Sequence, residues 1–375
     1  MRSIKILHCA DIHIGAAESF LKNNADNRRI ETLLTFEKII DLGIESQVDV
    51  ILIAGDLFDS NILPDRFVDA VFSKISSSNI KTIFAAGNHD PLDSESPFMT
   101  RELPKNLYVL GVKDECLTFS DINLKVYGRS FSSAFMQGKP HFDIKTDEDY
   151  VNLMVQHGDL CSDLSSDYNA ITPTFVKNSG MDYIALGHIH KRSPIGNIGN
   201  TYFAYCGCPE GQGFDELDEK GVYIGEISRG NCNLQFVPVS KRQHIHAKID
   251  ISHGTDNTEI SKIITDYLML NYGENYSDNL YKIELLGAIS PDVQISTQEI
   301  LSRVSQSVYY VKIKDSTELA IDYVNLSQEK SLKGIFVKKM LEKENNAPED
   351  EKAIIRNALK LGLKAFMTEV KYNED

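Results

Sequence analysis

No C-x-x-C pair occurs among the six cysteines, Cys9, Cys116, Cys161, Cys206, Cys208 and Cys232. In a chain of 375 residues, six scattered thiols do not read as a disulfide framework. Reduced thiols in a cytoplasmic protein are the expectation. Cys206 and Cys208 are the closest pair, but soft metal ligation there lacks a second pair to complete it, and a strand end before a Pro209 turn is the simpler reading. No apolar run approaches the roughly 20 residues of a membrane span. The opening MRSIKILHCADIH lacks both an extended apolar stretch and a small-residue cleavage site, so it reads as a first β-strand and not as a signal peptide. Basic residues are in deficit, with 39 Lys and Arg against 54 Asp and Glu and a formal net charge of −15. That balance argues against broad, non-specific binding to a phosphate backbone. It leaves a nuclease open, because cations held in a cleft reverse the local field and a partner can supply basic surface. Internal repeats and low-complexity segments are also lacking.

What is present is ample apolar material, 42% of residues, enough for a large core and too much chain for one ordinary domain. Ile4 to Ala10 is a short apolar strand ending at Asp11. Residues 28–46 carry Ile30, Leu33, Phe36, Ile39, Ile40 and Ile44 at helical spacing. VDVILIAGD (48–56) is a continuous Val/Ile-rich run, as in a strand covered on both faces. Pro64 suits the first turn of a helix reaching about Ser77, and KTIFAAG (81–87) is a further buried strand. The alternation predicts an α/β domain. Strands are then expected at 106–110, 122–127, 150–156, 182–187, 201–206, 220–227 and 232–238. Composition shifts near Lys241. Residues 244–314 read as strand, helix, strand, helix, strand, a small α/β unit of their own. From about Leu332 the pattern is helical, broken by the polar KENNAPEDEK (343–352).

Five short motifs carry the chemistry, and each follows an apolar strand. Asp11-Ile12-His13 offers a carboxylate and an imidazole at positions i and i+2, on one face of an extended chain. Gly55-Asp56 offers a carboxylate able to bridge two cations, with a glycine that leaves the approach open. In Gly87-Asn88-His89-Asp90, Asn88 supplies a neutral oxygen ligand, and His89 can serve the reacting phosphate without binding metal. His157-Gly158 and Gly187-His188-Ile189-His190 complete the set. Alone, each motif could be an ordinary polar turn. Together, at the carboxyl ends of successive strands where open α/β sheets bind ligands, they predict a metal site of Asp11, His13, Asp56, Asn88, His157, His188 and His190. Mixed Asp, Asn and His donors suit Mn, Fe, Co or Zn better than Ca or Mg. The other histidines are His8, His141, His244, His246 and His253. His8 alternates with Ile6 and reads as a core residue. His244-Ile245-His246 begins a strand, lacks a preceding glycine and reads as structural.

The series D-x-H, GDLFD, GNHD, HG and GHIH resembles the calcineurin-like metallophosphoesterase superfamily over residues 1–240. A narrower likeness is carried by LHCADIH, AGDLFD, AGNHD and YIALGHIHKR followed by YCGCPEGQGFDE. It is to the SbcD/YhaO-like DNA repair exonuclease branch, whose members resemble the nuclease subunit of the double-strand-break repair complex. The Ser/Thr phosphatase branch would show GDxVDRG and GNHE. Leu57, Phe58, Ser60 and Asp90 depart from that pattern, so protein phosphatase activity is not expected. Archaeal and eukaryotic break-repair nucleases carry histidine where this chain has Asp59, and bacterial SbcD-like proteins carry Asp, so the placement of a DNA end is not carried over from the former.

The resemblance implies a double β-sheet sandwich flanked by helices (1–240), a small α/β capping domain (241–316) and a C-terminal helical partner-binding segment (317–375). It implies two divalent metal ions, with Mn foremost. One would be held by Asp11, His13, Asp56 and His190, the other by Asp56, Asn88, His157 and His188. His89 is then the catalytic group that assists the leaving oxygen, and Asp59 is expected to orient it through a hydrogen bond. The implied partners are DNA ends, the coiled coil of an SMC-like ATPase engaged by the amphipathic tail helices, and a second copy of the chain through helices around residues 64–78. Three readings compete: a DNA exonuclease or endonuclease subunit, a phosphodiesterase for a small molecule such as a nucleotide, and a metal-stabilised scaffold without turnover. The complete ligand set argues against the scaffold, and the regions after residue 240 favour the nuclease.

Overall fold

The computed structural model describes residues 3–367 except 17, 19, 20, 22, 23, 138–145, 218 and 291. His141 therefore lies outside the described residues, as does the end of the tail beyond 367. The chain forms two compact units. One comprises Met1–His246, Glu274–Lys282 and Val308–Val311; the other comprises Ala247–Gly273, Ile283–Ser307 and Lys312–Asp375.

The first unit is built on twelve strands: β1 (Ile4–Cys9), β2 (Val50–Ala54), β3 (Lys81–Ala85), β4 (Leu107–Val109), β5 (Glu115–Phe119), β6 (Leu124–Gly128), β7 (Val151–His157), β8 (Tyr183–Gly187), β9 (Gly196–Ile198), β10 (Thr201–Tyr205), β11 (Gly221–Ser228) and β12 (Asn231–Pro238). They make two six-stranded sheets, in the orders β12-β11-β1-β2-β3-β4 and β5-β6-β7-β8-β10-β9. In the first sheet β1 to β4 pair in parallel, and β11 and β12 join antiparallel. In the second, β6, β7, β8 and β10 pair in parallel, with antiparallel β5 and β9 at the edges. The α/β sandwich expected from the sequence is thus observed. Strands β5 and β9 had no clear signal: β5 is mostly exposed and β9 has three residues.

Period-two geometry explains why β2 is apolar throughout. Val50, Leu52 and Ala54 face the second sheet, where they pack with Leu153 and Val155 of β7 and Ala185 of β8. Ile51 and Ile53 point the other way and meet Phe36, Ile39 and Ile40 of α1 (Ala25–Glu45) and Val71 and Ile75 of α2 (Asp65–Ser78). A strand covered on both faces has no position for a polar side chain. Each fully buried aliphatic contributes about 1.5–3 kcal/mol relative to exposure.

The inner face of α1 differs from its hydrophobic pattern. Ile30 and Ile44 are exposed, while Arg28, Glu31, Thr32 and Thr35 are buried. Arg28 explains the reversal. Its guanidinium donates to Glu18, Glu31 and Glu210 and to the Gly211 carbonyl, so the start of α1 is held by a buried ion network rather than by aliphatic packing.

Strands His244–Asp250, Leu280–Leu286 and Tyr310–Asp315 form a three-stranded sheet in that order. With helices Asn257–Tyr272 and Thr297–Val304 they reproduce the strand-helix alternation read at 244–314. The second unit ends in helices Leu332–Asn345 and Glu349–Met367, which share a core of Val337, Leu359 and Leu363 with Leu326. Leu332 and Ile335 are exposed, Phe336, Met340 and Leu341 pack against this core partly buried, and Val337 takes the central place. Among the described residues no helix is long and apolar enough to cross a membrane, and all six cysteines are free thiols.

Candidate metal centre

The loops that leave β1, β2, β3, β7 and β8 converge at one edge of the sandwich. Asp11, His13, Asp56 and His188 adopt φ values of 52°, 50°, 50° and 99°. Non-glycine residues rarely occupy this left-handed region, and such strain persists only where the surroundings enforce it. The shared direction of Asp11 and His13 therefore does not come from an extended i, i+2 register. The chain has already left the strand, and cross-loop hydrogen bonds set the direction instead. Asp11 N donates to the Gly55 carbonyl (3.0 Å), His13 N to Asp56 O (2.9 Å) and Ile14 N to Leu57 O (2.9 Å).

Close approach explains two of the glycines. A Cβ on Gly55 would lie 2.2 Å from His157 Nδ1, and one on Gly87 would lie 2.1 Å from an Asp56 carboxylate oxygen. Asp90 completes the scaffold. It is fully buried and accepts from the backbone N–H groups of Asp56 (3.2 Å), Leu57 (2.7 Å), Phe58 (3.1 Å) and Gly87 (2.8 Å). It thereby ties the loop after β2 to the loop after β3. In the sequence Asp90 is visible only as the last residue of the GNHD motif and as a departure from the phosphatase pattern. Its role depends on contacts with the loop after β2, far away along the chain, that no local pattern displays.

All seven sequence-predicted donors come together. His13 Nε2 lies 3.1 Å from His190 Nε2 and 3.7 Å from an Asp56 oxygen. His157 Nε2 lies 3.3 Å from the same Asp56 oxygen and 2.9 Å from Asn88 Oδ1. His188 Nδ1 stands 3.1 Å from Asn88 Oδ1, and the Asp11 carboxylate accepts from His188 N at 2.9 Å. Asp56 thus sits between a His13/His190 half and a His157/Asn88/His188 half. Asp11, His13, Asp56 and His157 are all buried.

Around these donors stand side chains that orient them. His157 Nδ1 donates to the Ala54 carbonyl at 2.9 Å, which leaves Nε2 for the centre. His190 Nδ1 meets Glu216 Oε1 at 2.6 Å, and the buried Cys208 thiol lies 3.2 Å from the other Glu216 oxygen. Asp159 is 3.5 Å from His188 Nε2. Carboxylates and carbonyls of this kind fix the tautomer and ring plane of metal-binding imidazoles. No local sequence pattern marks Glu216 or Asp159. Glu216 lies 26 residues after His190, within the quoted YCGCPEGQGFDE stretch, and only the fold shows which acid reaches the ring.

His89 is partly exposed at the mouth, with Nδ1 3.1 Å from the Asp59 main-chain carbonyl and 3.6 Å from its carboxylate. The Asp59 carboxylate is nearer to His13 Nδ1, at 3.1 Å. Its closer side-chain partner is therefore His13, and what reaches His89 most closely is its backbone. Away from the centre, His8 is a satisfied core histidine, bonded to Tyr183 Oη (2.9 Å) and the Leu186 carbonyl (3.2 Å). His244 is buried beside Glu18.

The electrostatics reflect crowding. Burial alone would depress His157, but the Asp56 carboxylate overrides it and pushes the imidazole up to about 9. Burial likewise works against His190, which Cys208 and Glu216 raise to about 11. Burial opposes ionisation of Glu216, yet His190 holds it down at about 2. His188 is lowered by burial and then by its cationic neighbour His157. Burial followed by the nearby Asp56 charge raises Asp90 to about 7. Protons are thus bound where several nitrogen and oxygen lone pairs point at one another.

That donor chemistry fits divalent cations. Ligand atoms of Asp11, His13 and His190 lie within 4.8 Å of one another, as do those of Asp11, Asp56 and His157, of His13, Asp59 and His89, and of His190, Cys208 and Glu216. Two imidazole nitrogens face to face at 3.1 Å, with buried carboxylates beside them, repel unless protons or cations lie between.

The comparisons with known proteins agree with this geometry. The calcineurin-like phosphoesterase family matches residues 4–192, just over half of the chain. A Bacillus subtilis protein described as an uncharacterized metallophosphoesterase, YhaO, is 26% identical over 279 residues, 71% of this chain and 68% of that protein. The protein named DNA double-strand break repair protein Mre11 from Saccharolobus solfataricus is 23% identical over 373 residues, 95% of this chain and 94% of its own length. Its counterpart from Methanopyrus kandleri is 27% identical, and the match spans 57% of that protein. The strand-end carboxylates, amide and imidazoles lie within the matched segment, and the chain belongs to the calcineurin-like phosphoesterase family.

Proposed function

We propose that the chain is a two-cation phosphodiesterase acting on DNA ends, the nuclease subunit of a repair or recombination assembly. The carrying observation is the position of Asp56. One oxygen lies 3.7 Å from His13 and 3.3 Å from His157, so a single carboxylate serves both halves of the donor set. Asp11, His13, Asp56 and His190 would hold one cation, and Asp56, Asn88, His157 and His188 the other. When bound, the two cations supply Lewis-acid charge to the scissile phosphate and acidify a water. Imidazole-rich donors favour Mn over Mg, which prefers oxygen ligands and retained waters.

The chain's own groups do the rest. Glu216, Asp159 and the Ala54 carbonyl keep the ligand rings oriented, and Asp59 holds His13. His89 stands at the mouth, free to donate a hydrogen bond to the phosphate or a proton to the leaving oxygen. The DNA reading is supported by the relatives named for double-strand break repair. In this reading residues 1–240 are the catalytic domain, 241–316 the capping domain, and 317–375 the segment that engages a coiled-coil ATPase of the SMC type. The exposed Leu332, Ile335, Ile354 and Leu361 provide the docking face. Free thiols accord with a cytoplasmic setting. A homodimer would form through the outer face of α2, around residues 64–78, whose inner face, Phe67, Val68, Val71, Phe72 and Ile75, is buried.

The purified protein, loaded with Mn, should hydrolyse linear DNA and bis-p-nitrophenyl phosphate. Turnover should drop strongly when Mg replaces Mn. Hydrolysis of bis-p-nitrophenyl phosphate with no action on duplex or single-stranded DNA would favour a small-molecule phosphodiesterase. No turnover of any phosphodiester would make the chain a scaffold.

A further inference from the structure

Beside the proposed centre, two rings that the hydrolysis itself does not use, Tyr168 and Phe135, continue outward from the donor His188. The His188 ring packs on Tyr168 at 4.6 Å between centroids and 31° between planes. Tyr168 in turn packs on Phe135 at 5.8 Å and 39°. Tyr168 is half-buried, while Phe135 is 61% exposed. A lone exposed phenylalanine is ordinary. This one is held in place by the same backbone that carries the metal donors.

Met136 pairs with Tyr168 in an isolated parallel bridge. Met136 N donates to the Asp167 carbonyl (2.8 Å), and Asn169 N donates to Met136 O (2.7 Å). The far side of that segment is tied to the centre. Asp159 N donates to Tyr168 O at 3.0 Å, and Asn169 Nδ2 donates to the carbonyl of His157 at 2.7 Å. Arg129 braces Asn169 Oδ1 at 2.9 Å. Phe135 therefore keeps a fixed offset from His157 and His188, two ring-to-ring steps from the donor set.

The charge around this stack narrows what it can hold. The segment carries Asp159, Asp163 and Asp167, in a chain of net charge −15. Such a surface cannot track several phosphates by counterion release. An aromatic face needs no cation to hold a base, because every base has a π-face to stack. A base inside a duplex is already stacked on both sides, so the base that gains most from Phe135 is an unpaired one.

We infer that Phe135, carried on Tyr168, is a stacking platform for an unpaired nucleobase beside the scissile phosphate, which makes a single-stranded nucleotide end the preferred substrate class. This rests on the phosphodiesterase reading of the neighbouring centre. The test uses a single-stranded oligonucleotide with a terminal 2-aminopurine, the Mn-loaded protein, and the variants Phe135→Ala and Phe135→Trp. Stacking should quench 2-aminopurine fluorescence on binding to the wild type. Alanine truncation at a base-stacking aromatic should raise KM by roughly tenfold or more, with the loss falling on KM rather than kcat, and should remove the quenching. Phe135→Trp should restore both. An abasic terminus should bind wild type and Phe135→Ala equally weakly. Cleavage with the same KM and quenching in wild type and Phe135→Ala would overturn the platform and leave the phosphodiesterase reading standing. Failure of the wild type to bind or cleave any oligonucleotide while it hydrolyses bis-p-nitrophenyl phosphate would overturn the platform together with the DNA reading.

Discussion

Burial opposes the charge of His157 and His190, yet both hold their protons above the ordinary histidine range, at about 9 and about 11, because Asp56, Cys208 and Glu216 stand beside them. A cation that takes their lone pairs must displace those protons. Below these values the metal-free site carries protons and the loaded site does not, so metal affinity must rise with pH. We predict that Mn uptake near neutral pH releases protons. Titration calorimetry in two buffers of different ionisation enthalpy would read this as a buffer-dependent heat, and identical heats would contradict it. The seven candidate donors were legible in sequence because each stands at the end of an apolar strand or within a few residues of it. Asp90, Asp159 and Glu216 were not, because an acidic residue in a loop looks the same whether it meets water or an imidazole. Their roles appear only when separate loops are brought together. Asp59 shows the same limit: its place beside the site could be read, but its nearer partner, His13 at 3.1 Å, could not.

Strands and helices divide the work. The strands are the most legible elements, since β2 is apolar on both faces, β3 is apolar from Ile83 onward, and both lead into a polar motif. The loops are less so. Extended geometry gave a plausible reason for Asp11 and His13 to share a direction, whereas the structure uses left-handed residues and cross-loop hydrogen bonds. Helix α1 departs from its pattern for a tertiary reason: buried Arg28 draws Glu18, Glu31 and Glu210 inward, and Ile30 is left outside. The tight loop packing makes Gly55→Ala a sharp test. At φ +87° the new Cβ would be strained and would sit 2.2 Å from His157 Nδ1. The variant should melt several degrees lower and lose metal affinity by at least about tenfold. A melting temperature and metal content equal to wild type would mean that the loops after β2 and β7 are not packed this closely.

At the scale of the whole molecule, the charge of −15 and the proposed activity on a polyanion need reconciling. Two divalent cations would outweigh the two carboxylates Asp11 and Asp56 and make a local positive focus in an acidic protein. The same acidity leaves contacts with long DNA to partners, the role proposed for the tail helices, and leaves the aromatic Phe135 to take hold of a base. The proposed activity depends on Asp56 linking two cation sites. The most direct measurement is therefore the metal content per chain of purified Mn-loaded protein and of Asp56→Asn, with His89→Ala beside them. Wild type should hold two ions. Asp56→Asn should hold markedly fewer while keeping its fold by circular dichroism. His89→Ala should retain both ions while hydrolysis falls by about 10²–10⁴-fold. Two ions and near-normal turnover in Asp56→Asn would contradict the shared carboxylate and the two-cation centre built on it.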